Sequence, residues 1–149
     1  MALKHKNMKK LLYILTIAAL SLTGCNKAPS LRELICKEWR GVELSADAGI
    51  YINFMSDGTF ELYQKLENEF ELRRGTWTLK GDILSGKYND DEAWAADYKV
   101  SANKNQLTMI SQNEGNETSI YVRCSIPSII KEGSTVVVKS AAAVCKSAL

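Results

Sequence analysis

The alternation of apolar and polar side chains over residues 50–66 constrains the fold of this chain more than any other feature. A period of two is typical of a β-strand that buries one face and leaves the other in water. Ser56-Asp57-Gly58 interrupts the alternation midway, and Asp-Gly favours a tight reversal because Gly takes positive φ without steric cost. The stretch therefore predicts an antiparallel β-hairpin with one buried and one wet face, in which Ile50, Ile52 and Phe54 alternate with Tyr51, Asn53 and Met55.

The same alternation returns in other segments, which are separated by turn sequences such as Gly81-Asp82 and Asn103-Lys104-Asn105. It predicts strands near residues 39–44, 70–79, 83–88, 93–101, 106–111 and 118–124. The apolar phase changes between Leu72 and Trp77, which predicts a β-bulge near Arg74-Gly75.

Hairpin-length connections leave no room for crossover helices, and 149 residues are the length of one domain. The chain is therefore predicted to be all-β, an antiparallel up-and-down meander barrel of about eight strands. A barrel of this size either holds one small ligand or is filled by its own side chains. The sequence alone leaves both possibilities open.

A short helix is predicted before the first strand. Ser30 and Glu33 have the spacing of a capping box, and Leu31, Leu34 and Ile35 follow at helical spacing. A helix of about two turns is unstable alone, so we expect it to pack on an open end of the barrel.

The first 24 residues have the pattern of a secretory signal. Lys9-Lys10 precedes an apolar run over residues 11–22, which would span only about 18 Å as a helix and is short for a membrane crossing. Leu22, Thr23, Gly24 and Cys25 resemble the bacterial lipobox, which implies cleavage before Cys25 and acylation of that residue. The predicted divisions are a lipoprotein signal peptide over residues 1–24, a lipidated tether over 25–30, a barrel over 31–127 and a tail over 128–149.

Asn26 follows Cys25, where Asp is the inner-membrane retention signal in related export systems. The expected location is therefore the outer membrane. Residues 26–30 carry no acidic run of the kind that directs some such lipoproteins to the cell surface, which favours the periplasmic face. Four of the 19 basic residues lie in the first ten positions, which leaves 15 basic against 17 acidic residues in the remainder. A chain without a basic patch is not expected to bind nucleic acid.

Four motifs together resemble the lipocalin-like domains found as small lipoproteins in Gram-negative bacteria. They are Tyr51-Ile52-Asn53-Phe54, Arg74-Gly75-Thr76-Trp77, Leu84-Ser85-Gly86-Lys87-Tyr88 and Tyr98-Lys99-Val100-Ser101. The resemblance covers residues 31–127 and implies a calycin-type barrel that binds a small molecule. Lipocalins begin their first strand with Gly-x-Trp, whereas this chain has Trp39-Arg40-Gly41.

In a closed meander the first and last strands are neighbours, so Trp39 and Arg123 are expected to meet where the barrel closes, with the Arg123 cation stacked on the indole. Cys36 and Cys124 are then also close together, and they are the preferred disulfide in an oxidising compartment. Cys124 with Cys145 is the alternative pairing.

Neither a cofactor, a metal site nor a catalytic residue is predicted. No Cys-x-x-Cys occurs, and the only histidine, His5, belongs to the predicted signal. Without His in the mature chain, a nucleophile with its general base cannot be assembled from the usual residues.

Aromatic residues are the remaining candidates for a binding site, since rings with a polar tip suit a pocket that orients an apolar guest. Trp94 and Tyr98 share one strand face with the small Ala96 between them. The predicted pocket lining consists of Trp94, Tyr98, Tyr88, Tyr51 and Tyr63. Alternatively, these rings are core or surface cross-strand pairs.

The sequence thus favours a non-catalytic, membrane-anchored envelope protein that binds a small hydrophobic or amphipathic ligand. The alternative is an interaction or structural module with a filled barrel that contacts another envelope protein.

Overall fold

The computed structural model describes residues 27–42 and 49–138. The predicted signal peptide, the lipobox residues Leu22, Thr23 and Gly24, the lipidation site Cys25, and Cys145 lie outside these residues. The predicted domain divisions stay predictions.

The described chain is a meander of short strands with a helix at each end. In chain order the elements are α1 (Leu31–Ile35), β1 (Glu38–Gly41), β2 (Ile50–Phe54), β3 (Thr59–Leu66), β4 (Glu69–Lys80), β5 (Ile83–Tyr88), β6 (Tyr98–Ala102), β7 (Gln106–Ser111), β8 (Thr118–Arg123), α2 (Ser128–Gly133) and β9 (Thr135–Val136). Each of the first seven strands pairs antiparallel with the next.

Pairing between the first and last of these eight strands closes the ring. Trp39 lies opposite Arg123, and Gly41 lies opposite Tyr121. The prediction of an eight-stranded antiparallel up-and-down barrel is therefore confirmed. Inside it, the fully buried side chains include Trp39, Phe54 and Leu84.

Helix α1 packs across the barrel end that carries the β2–β3 turn. Its predicted capping box is present, with Ser30 Oγ accepting from Glu33 N and Glu33 accepting from Ser30 N. The helix ends at Ile35, which is shorter than the two turns expected. Ile35 is fully buried, and its carbonyl accepts a 2.9 Å hydrogen bond from Trp39 Nε1, so burial and this bond hold the short helix in place. Neither helix of the described residues has the length and apolar character to cross a membrane.

Strands β3 and β4 pair without interruption, so the predicted bulge near Arg74-Gly75 is wrong. The register runs continuously from Thr59 opposite Thr76 to Leu66 opposite Glu69. Leu72 and Trp77 differ in phase because both faces of β4 bury apolar residues, Trp77 inside the barrel and Leu72 outside it.

The C-terminal segment covers the outer face of the barrel. Four buried side chains form an outer cluster, namely Tyr63, Leu72, Ile126 and Ile130. Glu38 on β1 fixes this segment, since its carboxylate accepts 2.7 Å and 2.6 Å hydrogen bonds from Ile126 N and Lys131 Nζ. Strand β9 then pairs parallel with β4, with Val136 opposite Leu72. Part of the tail over residues 128–149, whose structure was not predicted from the sequence, thus belongs to the packed fold.

Strand β6 begins at Tyr98, five residues later than the predicted start at residue 93. Only two residue pairs join β5 to β6, Ile83 with Lys99 and Leu84 with Tyr98. The chain between these strands turns back over β5, where Trp94 N donates a 2.9 Å hydrogen bond to Gly86 O. This departure from the regular strand brings Trp94 over the barrel interior.

Candidate ligand-binding cavity

The barrel contains a cavity of about 150 Å³. Its wall is mostly apolar and comes from the inward faces of β2, β3 and β7, with Ile52, Phe60, Leu62 and Met109 among the contributors. The segment over residues 92–95 also lines it, and because Ala93 and Ala95 are exposed, the cavity reaches the surface there.

Trp94 forms the aromatic part of this wall. Its ring centroid lies 5.1 Å from that of Phe60, 6.4 Å from that of Phe54 and 6.0 Å from that of Tyr98, all in edge-to-face geometry. Such pairs add stabilisation beyond the area they bury. The indole also packs on Gly86, where a Cβ atom would lie 2.3 Å from Trp94 Cε2. The position of Trp94 therefore depends on the missing side chain at residue 86.

Polar groups are few in the cavity wall, and most of them are uncharged. They include the Gln64 amide, the Ser119 hydroxyl and the phenol groups of Tyr98 and Tyr121. Burial raises the pKa of Tyr121 to about 12, with the nearby Tyr98 adding to the shift and a hydrogen bond with Ser119 opposing it. The Tyr121 hydroxyl consequently keeps its proton at neutral pH and can donate a hydrogen bond.

Glu92 is the one charged residue among the fifteen described residues that line the cavity, and it lies in the exposed segment. Arg73 is buried nearby but outside the lining. Its guanidinium carbon lies 5.8 Å from the centroid of the Tyr88 ring, and its Nη2 is 3.6 Å from Glu71 Oε2. Among the described residues, the cavity wall thus contains no cation that could pair with an anionic ligand.

Three of the five predicted lining residues are brought together in the cavity wall: Trp94, Tyr98 and Tyr88. The prediction is wrong for Tyr51 and Tyr63, which lie opposite each other on the outer face of β2 and β3. Tyr63 donates a 3.0 Å hydrogen bond to Glu61, and burial, together with this bond, raises its pKa to about 12. Both rings serve the outer cluster that α2 covers.

The predicted lining omits Tyr121 and Ser119, although Tyr121 is among the aromatic residues of the predicted strands. They lie two positions apart on β8 and face inward opposite Leu107 and Met109. The alternation of β8 could have indicated Tyr121, since it shares the parity of the residues that face the core.

Trp39 and Arg123 are paired at the barrel closure, as expected, but no stacked cation accompanies the pair. Trp39 is fully buried, while Arg123 is exposed. Among the described residues, the cation that lies over a tryptophan is Arg32, whose guanidinium carbon is 4.3 Å from the Trp77 ring centroid. This contact links α1 to β4.

The predicted disulfide between Cys36 and Cys124 is not formed, and both thiols are free. Cys36 packs against the core inside the barrel, whereas Cys124 packs against the outer cluster, so the two lie on different faces of the sheet. Burial raises the pKa of both thiols above the ordinary value. Within residues 27–42 and 49–138, no three side chains of His, Cys, Asp or Glu are grouped as metal ligands.

A family model described as the lipocalin-like domain matches residues 35–122. The match runs from the last residue of α1 into β8 and includes all fifteen described residues that line the cavity. No curated protein is significantly similar to the chain. Because the family model covers more than half of the sequence, the chain belongs to the lipocalin-like domain family.

Proposed function

We propose that this protein is a non-catalytic binding protein that holds a small hydrophobic or amphipathic molecule in the barrel. The observation that carries the proposal is the cavity of about 150 Å³, with apolar walls and a few uncharged polar groups. Concave sites of this composition are typical of small-molecule binding. The lipocalin-like fold supports the same function.

We also propose that the protein is anchored through Cys25 in the outer membrane, on the periplasmic face. The support is the sequence Leu22-Thr23-Gly24-Cys25 and the absence of Asp after the cysteine. Residues 25–30 would then join the lipid to α1, a span of at most about 20 Å when fully extended. The barrel would therefore stay close to the membrane surface. Mass spectrometry of the protein purified from its own membranes tests this, since an unmodified Cys25 would contradict it.

Ligand binding is tested with the mature chain over residues 25–149, carrying Cys25→Ser so that no lipid is attached. Native mass spectrometry would report co-purifying molecules, and thermal unfolding would be measured against a panel of neutral, acidic and basic compounds. A binding protein gains stability by mass action, about 2.7 kcal/mol when the ligand is at a hundredfold excess over Kd. If no compound is retained and none raises Tm, the barrel is not a ligand-binding site.

An interaction module remains the second candidate function, and one observation favours it. Ile129 and Val138 of the C-terminal segment are 79% and 78% exposed, and Val136 is 50% exposed. Crosslinking in cells, followed by identification of the captured partner, separates the two functions. A stable protein partner without any bound small molecule would favour the module over the binding protein.

A further inference from the structure

Resting on the proposed function, we infer that the cavity selects neutral compounds with a single ring and one hydrogen-bonding group, and that Trp94 sets the size limit. The volume of the cavity, the charges around it and the packing of the indole support this selectivity.

The volume of the cavity limits the size of the ligand. A cavity of about 150 Å³ in another protein, lined by apolar side chains, binds benzene. Pockets for drug-sized molecules are commonly about 300–1,000 Å³. The cavity of this barrel measures about 150 Å³, so it has room for one ring with a small substituent. A long alkyl chain or a sterol exceeds that space.

The charges around the cavity limit the charge that a ligand can carry. A carboxylate placed in an apolar cavity needs a cationic partner, because burying an unpaired charge is costly. Among the described lining residues there is no Lys or Arg, and the charged group present, Glu92, would repel an anion. Arg73 lies beside Tyr88 rather than in the lining, and its Nη2 is 3.6 Å from Glu71 Oε2, although its buried Nε has no hydrogen-bond partner. Acidic ligands are therefore disfavoured, and long-chain acids are disfavoured by their size as well. A cationic amine is also disfavoured, because Glu92 lies in the exposed segment and leaves an ammonium in the interior without a partner.

Uncharged polar groups in the wall match an uncharged polar group on the ligand. The Gln64 amide offers donors and an acceptor, and the Tyr121 and Ser119 hydroxyls act as either. A phenol or a similar neutral ring alcohol has both the ring for the apolar wall and the group for these partners.

Trp94 sets the size because its indole occupies the interior between other rings. It packs edge-to-face with Phe54 and Phe60 and rests on Gly86. Large-to-small substitutions leave a cavity where the surrounding structure relaxes only partly. Removal of the indole would therefore add the space of a further ring to the cavity.

The test uses the mature chain with Cys25→Ser and four fluorinated probes observed by ¹⁹F NMR. The probes 4-fluorophenol, 4-fluorobenzoate and 4-fluorobenzylamine differ in charge at constant ring size. The fourth probe, 6-fluoro-2-naphthol, keeps the hydroxyl of 4-fluorophenol and adds a second ring. We expect 4-fluorophenol to bind at least about tenfold more tightly than each of the other three, which corresponds to about 1.4 kcal/mol.

Substitutions at residue 94 test the role of the indole. Trp94→Ala is expected to improve the Kd for 6-fluoro-2-naphthol, relative to that for 4-fluorophenol, by at least about tenfold. Trp94→Phe keeps a ring and is expected to change the ratio of the two Kd values less, in the same direction. This variant replaces Trp94→Ala in the test if the alanine variant does not fold. Ile126→Ala loosens the outer cluster instead of the cavity and is expected to leave the ratio of the two Kd values unchanged.

Three results would overturn the inference, and none of them by itself overturns the proposed function. Equal binding of the benzoate, the benzylamine or the naphthol by the unsubstituted chain contradicts the selectivity but leaves a ligand-binding protein. An equal gain of naphthol binding in Ile126→Ala contradicts the role of Trp94. Absence of binding to all four probes overturns the selectivity, and only a failure of the wider panel as well overturns the proposed function.

Discussion

Trp94 packs on Gly86 so closely that a Cβ atom at residue 86 would lie 2.3 Å from Trp94 Cε2. The same two residues are joined by a 2.9 Å hydrogen bond from Trp94 N to Gly86 O. A strand position that has no side chain thus accepts an indole from a segment that has left the sheet. The shape of the cavity depends on this contact, because Trp94 is part of the wall.

Gly86→Ala tests this dependence. The added methyl group has to displace the indole, and overpacking of this kind costs about 1–3 kcal/mol of unfolding free energy. Urea unfolding measures the loss. Gly133→Ala is the matched control, since a Cβ there would meet nothing within 4 Å. Equal stabilities for the two variants would contradict the packing of Trp94 on β5.

Two adjacent residues of α2 test whether the C-terminal segment belongs to the fold. Ile130 is 9% exposed and Ile129 is 79% exposed. Ile130→Ala should lower the unfolding free energy by about 2 kcal/mol, because it leaves a cavity in the outer cluster. Ile129→Ala should change it by less than about 0.5 kcal/mol, as for other surface substitutions. Similar small effects at both positions would mean that α2 does not pack on the barrel in solution.

Glu38 gives the contact between β1 and the C-terminal segment a pH dependence. Partial burial works to raise the pKa of Glu38, but hydrogen bonds from Lys131 and from Ile126 N outweigh it and hold that pKa below 4.5. A carboxylate with a lowered pKa in the folded state stabilises the protein above its unfolded pKa. That contribution is lost as the pH falls through the folded pKa.

Glu38→Gln should therefore cost about 1 kcal/mol at pH 7, and the difference from the unsubstituted chain should shrink below the unfolded value of 4.5. Denaturant unfolding at pH 7 and pH 3 measures both quantities. Asp91→Asn is the control, because Asp91 makes an equally short 2.6 Å contact with Lys87 but its side chain is 83% exposed. Exposed pairs contribute little, so this variant should stay within about 0.5 kcal/mol at both pH values. A cost for Glu38→Gln that does not depend on pH would contradict the ion pair.

The free thiols of Cys36 and Cys124 can be checked in a mature chain that carries Cys25→Ser and Cys145→Ser. Because burial raises the pKa of both thiols, alkylation of the folded protein at pH 7 should be slow, whereas unfolded protein should take two labels. Mass spectrometry counts the labels after purification without reductant. Recovery of a species that takes no label after unfolding would show that the two residues do form a disulfide.

The barrel could be predicted from the sequence because each hairpin has its own alternation of apolar and polar residues and its own turn sequence. The alternation around Ser56-Asp57-Gly58 marks both strands and the turn, and the capping box of Ser30 and Glu33 marks the helix. These signals are local, so they do not depend on knowing where the rest of the chain lies. The closure between Trp39 and Arg123 followed from strand order alone.

Two of the errors share one physical cause, which is apolar packing on both faces of the same strands. Tyr51 and Tyr63 have the opposite parity to Ile52 and Leu62. Because α2 docks on the outer face, both faces of these strands pack against apolar side chains. Period-two patterns assign residues to faces without saying which face is inside. The supposed bulge in β4 had the same origin, since Leu72 serves the outer cluster and not the core.

The most direct test follows the three indole N–H signals of the mature chain by ¹H–¹⁵N NMR during titration with 4-fluorophenol. Trp39 Nε1 donates to Ile35 O and Trp77 Nε1 donates to Thr59 O, and neither residue lines the cavity, whereas Trp94 does. Binding in the barrel predicts a saturable shift of the Trp94 signal, with the Trp39 and Trp77 signals nearly unmoved. A Trp94 signal that stays in place at saturating 4-fluorophenol would contradict a ligand site inside the barrel.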